Sequence, residues 1–138
     1  MNNNKKMLII KMPYWLGIVA DALWASALFF PSIFAVLTGR SEFSPDLEMR
    51  LIMWIGGTLM LGWTLLLIWA VNEPIERRMV IILTAFPVVF GMLIITVVQY
   101  NTGNTFIIWA MIKTIILIVS MSYSFLLASK IAKNKNEN

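Results

Sequence analysis

Four long apolar runs separated by three short polar stretches organise this chain. The runs cover residues 13–37, 51–71, 79–98 and 105–129. Asp21 and a few small polar residues break the first, the second carries no charge, and Lys113 alone interrupts the fourth. The stretches between them are a charged loop (39–50), a tight polar link (72–78) and an uncharged turn (100–104) that contains Gly103. Each run has about 20 residues or more, and at about 1.5 Å per residue it matches the roughly 30 Å hydrocarbon core of a bilayer. Lipid offers the backbone no hydrogen bonds, so such runs form helices. The strands of a membrane barrel would alternate apolar and polar residues over about ten positions, and no such segment is present. The pattern predicts an all-α integral membrane four-helix bundle with helices at about 13–38, 45–71, 75–99 and 105–129. Residues 13–130 then form one transmembrane domain between tails at 1–12 and 131–138.

Local signals mark where the helices start. In Ser44-Pro45-Asp46, a capping hydroxyl precedes a proline suited to the first turn and an acid at the positive end of the helix dipole. Pro74 with Glu76 opens the third helix in the same way, and Asn104 caps the fourth. Lys5 and Lys6 resemble the start of a signal peptide, and Ala25-Ser26-Ala27 resembles a cleavage site. Lys11, Pro13 and Asp21 interrupt that apolar region, and the chain stays apolar to Leu37, so retention is expected.

Orientation follows from the placement of lysine and arginine. The N-terminal tail (Lys5, Lys6, Lys11), the link (Arg77, Arg78) and the C-terminal tail (Lys130, Lys133, Lys135) hold eight of the 11 cations. The two loops on the other side hold only Arg40 and Arg50. Both termini and the link are therefore expected in the cytoplasm, with the chain in the cell (inner) membrane. Tyr14, Trp15 and Trp69 are placed near the inner boundary, and Trp54, Tyr100 and Trp109 near the outer one. Trp24 and Trp63 lie deeper, where they can wall a pocket.

Composition sharpens this picture mainly by exclusion. A hydrophobic share of 59% and a mean hydropathy of +0.80 exceed those of water-soluble chains, whose apolar share is roughly 45–50%. The chain has no cysteine and no histidine, so disulfides, thiolate nucleophiles and imidazole acid–base chemistry are excluded. No cofactor and no metal are expected. The net charge of +4 comes from residues flanking apolar runs, which argues for topology signals rather than nucleic acid as a partner. The expected partners are the lipid bilayer and, within it, a second copy of the chain or another membrane protein.

Candidate chemistry centres on the ionisable residues inside the runs, because one at a helix centre costs about 2.5–3.5 kcal/mol on insertion scales. Asp21 lies about 12 Å from the cytoplasmic end of its run and Lys113 about 25 Å from that same side, so they do not match in depth. Ser120 and Ser124 fall at roughly 9–15 Å, and Thr64, Thr84 and Pro87 at roughly 8–12 Å, level with Asp21. Helical spacing aligns Gly17, Asp21, Ala25 and Ser32 on one stripe of the first helix. It aligns Lys113, Ser120, Ser124 and Ala128 on one stripe of the fourth. The expected site is an inner-leaflet polar pocket of Asp21, Thr64, Thr84, Ser120 and Ser124, in which Asp21 either couples protons or cations or simply packs its helix. Lys113 is an outer-leaflet charge that snorkels towards Glu42, Asp46 or Glu48.

Secondary features have a packing and a functional interpretation. Pro31 and Pro87 bend their helices, either to fit the bundle or as hinges. Gly56, Gly57 and Gly62 offer close helix contact without the spacing of a GxxxG motif. Arg77 and Arg78 set topology or meet anionic headgroups. Glu42, Asp46 and Glu48 form a solvated loop rather than a divalent-cation site.

An aromatic-rich first helix and the link Trp69-Ala70-Val71-Asn72-Glu73-Pro74-Ile75-Glu76-Arg77-Arg78 resemble the small uncharacterised four-helix proteins of bacterial inner membranes. That resemblance covers nearly the whole chain in layout and implies no particular activity. Tyr14-Trp15-Leu16-Gly17-Ile18-Val19-Ala20-Asp21 resembles, more weakly, the first helix of the small multidrug resistance transporters, which implies a dimeric transporter with an essential acid. Here the acid is Asp rather than Glu, the loops are longer, and Lys113 has no counterpart. Three function classes follow: a structural or accessory membrane component, a small proton- or cation-coupled transporter using Asp21, and an intramembrane enzyme. The last would draw on Ser120, Ser122, Ser124, Lys113 and Asp21, although seven residues along one helix set Lys113 about 10 Å from Ser120.

Overall fold

A computed structural model describes residues 3–98 and 105–136, all of the regular structure among them being helical. The elements are α1 (Asn3–Phe29), α2 (Pro31–Thr38), α3 (Leu47–Asn72), α4 (Arg78–Leu83), a π-helical turn (Thr84–Val89), α5 (Phe90–Val98) and α6 (Thr105–Asn136). Among the described residues, four stretches are long and apolar enough to cross a membrane: Lys5–Phe29, Leu47–Asn72, Arg78–Val98 and Ile108–Asn134. Large apolar side chains stand open along them, including Leu59, Leu65, Ile95 and Val119. A water-soluble chain rarely leaves so much contiguous apolar surface uncovered. The chain is an all-α, multi-pass membrane protein.

Helix boundaries differ from the sequence expectation where backbone chemistry overrides hydropathy. The first helix starts at Asn3, ten residues ahead of Pro13, so most of the supposed N-terminal tail is helical. At the other end Pro31 breaks the helix rather than bending it. Phe30 is extended at φ −120° and ψ 104°, as the residue before a proline prefers, and Pro31 begins α2 at a position where its missing N–H costs nothing. The α2 helix closes on Gly39, whose φ of 71° and ψ of 22° are left-handed. Gly39 N–H donates to Val36 O and Arg40 N–H to Ala35 O, which is the Schellman pattern. In α3 the cap is Asp46 rather than Ser44: its Oδ1 accepts the Met49 N–H at 2.8 Å. Replacing Asp46 with alanine is expected to cost about 1 kcal/mol. The loss is measured as faster amide exchange confined to the first turn of α3.

Pro74 and Glu76 lie in a turn before the third span, not in its first helical turn, and α4 starts at Arg78. Pro87 sits within the π-helical turn. A proline lacks an N–H and clashes with the carbonyl four residues earlier, and the wider π turn absorbs that misfit within a continuing helix. The last helix runs seven residues beyond 129, so most of the C-terminal tail is helical as well. The turn at Tyr100–Asn104, the Asn104 cap and the Lys135 side chain lie outside the described residues.

Two compact units are distinguished, 1–15 with 69–138, and 16–68. In the first, α4, the π turn and α5 all pack on α6. Ile81, Ala85 and Val89 recur at fourfold spacing and are buried, as are Thr114, Met121, Ser124 and Ala128 on α6. Lys113 falls one position off that stripe and is exposed, and Ser120 is only half-buried, so the stripe expected through them is displaced. In the second unit, α1 meets α3 at the double glycine. A Cβ added at Gly57 would lie 3.2 Å from the Phe29 ring and 3.3 Å from Leu28 Cβ, and one at Gly56 3.5 Å from Leu28 Cδ1. Nothing approaches Gly62 within 4 Å, so only two of the three glycines serve contact. Phe34 links Trp24 (centroids 6.3 Å apart) to Phe43 (4.6 Å), which folds the loop after α2 back onto that helix.

Candidate functional site

The second unit contains the one acid found within a candidate span's apolar interior, Asp21. Gly17, Asp21 and Ala25 are buried on one face of α1, whereas Ser32, expected on the same stripe, lies past the break and is exposed. The glycine contact sets two antiparallel helices in register, with Leu28–Phe29 facing Gly56–Gly57. Stepping seven or eight residues back along α1 and the same distance forward along α3 pairs Asp21 with Thr64 in depth. Both are buried, at 9% and 4% exposure. Thr64 Oγ1 donates to its own helix at Met60 O (2.9 Å). Asp21 Oδ2 is enclosed and has no hydrogen-bond partner among the described residues. A buried polar atom is normally satisfied, so an orphaned carboxyl oxygen inside a span is the chemically informative feature here.

The other expected pocket residues, Thr84, Ser120 and Ser124, belong to the first unit. Thr84 Oγ1 donates to Val80 O (2.8 Å) and Ser120 Oγ to Leu117 O (3.0 Å), each within its own helix. Ser124 behaves differently. Its hydroxyl is fully buried and donates across to Ile10 O on α1 at 2.9 Å. Pro13 withdraws the helical donor from Ile9 O, one residue before the Ser124 acceptor, so the tie lies beside a gap in the α1 hydrogen-bond ladder. Ser124 is thus a tie between helices in the first unit. Its partner carbonyl was not legible in the sequence, since nothing in a residue pattern marks which main-chain oxygen accepts.

Sequence reasoning also missed the arrangement around Arg77. Its guanidinium lies 3.8 Å over the Trp69 ring, donates to Trp69 O (2.6 Å) and pairs with Glu73 Oε2 (2.6 Å). Tyr14, expected near the inner boundary, is fully buried, and its hydroxyl donates to Arg77 O at 3.4 Å. The signal was available as the fourfold steps Trp69, Glu73 and Arg77. The two arginines therefore differ: Arg77 is engaged on all sides, while Arg78 makes one hydrogen bond, to Ile75 O (2.9 Å).

Cavities among the described residues include two at helix ends. One, of about 410 Å³, belongs to the first unit, where Met7, Lys11 and Ala132 meet the 72–78 link. The other, of about 470 Å³, belongs to the second unit and lies between α2 and the following loop, with Arg40 stacked 5.6 Å over Phe43. In that loop the Asp46 carboxylate is occupied as a helix cap. Among the described residues no three acids gather at a spacing that would hold a metal ion. Compared with family models, with curated proteins and with solved structures, the chain matches none.

Proposed function

We propose that the chain is a structural or accessory component of a bacterial inner membrane, with both termini and the 72–78 link in the cytoplasm. The observation that carries this role is how the four hydroxyls level with Asp21 are used: Thr64, Thr84, Ser120 and Ser124 all donate to main-chain carbonyls. Ser124 joins two helices, the other three bond back onto their own helix, and in each the hydroxyl proton is taken by the main chain rather than offered to a solute. The excess of lysine and arginine on the tails and link supports the orientation. The layout shared with small four-helix proteins of bacterial inner membranes supports the location. The bilayer is the first partner, and a second copy or another membrane protein the next.

Because the native chain has no cysteine, single cysteines introduced at Lys6, Ser41 and Lys133 report topology directly. Expected is labelling of Ser41→Cys by an impermeant reagent in whole cells, with the other two reacting only after lysis. The reverse pattern would overturn the orientation. Purified protein in liposomes is expected to leave an imposed pH gradient intact. The orphaned Asp21 oxygen favours a second function, a small proton- or cation-coupled transporter, and flux that Asp21→Asn abolishes would establish it in place of the first.

A further inference from the structure

We propose that the 410 Å³ cavity of the first unit is a phospholipid headgroup site, fitted to phosphatidylethanolamine. Its lining comes from the beginnings of the Lys5–Phe29 and Arg78–Val98 spans and the ends of the Leu47–Asn72 and Ile108–Asn134 spans. Spans that enter and leave a bilayer at such positions place the cavity at headgroup depth. Met7, Ile75 and Ala132 supply apolar wall, while Lys11, Arg78 and Glu76 supply charge.

The charges are open to a ligand. Glu73 is committed to Arg77, but Lys11, Arg78 and Glu76 form no ion pair among the described residues. Arg78 spends one donor on Ile75 O and keeps the rest of its guanidinium fork. Two cations suit one phosphodiester, and a free carboxylate beside them suits a primary ammonium. Phosphatidylethanolamine carries both groups on a two-carbon spacer. Phosphatidylglycerol offers no cation to Glu76, and the trimethylated choline headgroup offers it no N–H donor. The site is independent of Asp21 and of the transport question.

Native mass spectrometry of the full-length, delipidated protein in detergent tests the assignment, with dioleoyl phosphatidylethanolamine, phosphatidylglycerol and phosphatidylcholine titrated in turn. Expected is one retained phosphatidylethanolamine, bound about tenfold more tightly than either other lipid. The Lys11→Gln/Arg78→Gln protein is expected to lose that retention about tenfold, measured alongside its unfolding midpoint. Glu76 is exposed on the link, so Glu76→Gln leaves the helices intact; it should keep phosphate binding and lose the preference for ethanolamine over choline. Equal retention of the three lipids overturns the proposal, as does a preference for phosphatidylglycerol or a Glu76→Gln protein with unchanged selectivity. Displacement of bound lipid by millimolar soluble phosphoethanolamine would also overturn it, because the ligand would then be a free phosphate ester.

Discussion

Replacing Gly57 with leucine is expected to destabilise the folded protein by about 2 kcal/mol, within the range for forcing bulk into a packed contact. Even a methyl group at this position would stand 3.2 Å from two carbons of the Phe29 ring and 3.3 Å from Leu28 Cβ. The helices would have to part or Phe29 would have to leave its rotamer, and both losses fall at the contact between α1 and α3. Lipid gives no hydrophobic drive for helices to associate, so close packing of small residues supplies the attraction that the substitution removes. Reversible unfolding in mixed micelles measures the change. Gly62→Leu is the internal comparison: nothing lies within 4 Å of its added Cβ, so little change is expected. Leucine is a better helix former than glycine, so propensity cannot produce a loss at either position, and equal losses at both would show that the contact is not what is being read.

The second large effect is expected to run the other way. Asp21→Leu should stabilise the fold by about 2 kcal/mol, because a carboxyl group at a span centre costs about 2.5–3.5 kcal/mol on insertion scales and this one has an oxygen with no partner among the described residues. The added side-chain volume takes back part of that gain. A residue retained for packing would behave oppositely, since its removal would forfeit a hydrogen bond. The same unfolding assay separates the two. A gain in stability marks Asp21 as a group that costs the fold something; the flux measurement on Asp21→Asn, and not this assay, separates transport from the accessory role. A loss of 1 kcal/mol or more would mean that Asp21 is satisfied in the membrane.

The two effects differ in how far they were legible beforehand. Asp21 was conspicuous from its sequence alone, because one charge in an apolar run needs no structure to be noticed. Gly57 was one of three glycines on one helix, and periodicity did not distinguish it from Gly62. The difference is made by Phe29, brought opposite Gly57 by the pairing of α1 with α3. Likewise, Ser120 and Ser124 looked equivalent by depth and spacing, yet one closes on its own helix and the other ties α6 to Ile10. Arg77 and Arg78 looked like one basic pair, and only the position of the Trp69 ring separated the committed residue from the open one.

The residue pattern dictates the class of the protein: four apolar runs, each long enough to span, become helices because lipid leaves the backbone no other way to satisfy its hydrogen bonds. It also determined the breaks with a local cause, since Pro31 and Gly39 act through their own backbone preferences. The helical stretches back to Asn3 and on to Asn136 escaped it, because hydropathy marks where a helix meets lipid and not how far its hydrogen bonds run. Tertiary packing set which hydroxyl reaches another helix and which glycine is in contact. Each of these depends on a partner distant in the chain, and a hydrogen bond or a contact of a few ångströms is set by that partner's position and not by the residue's own type.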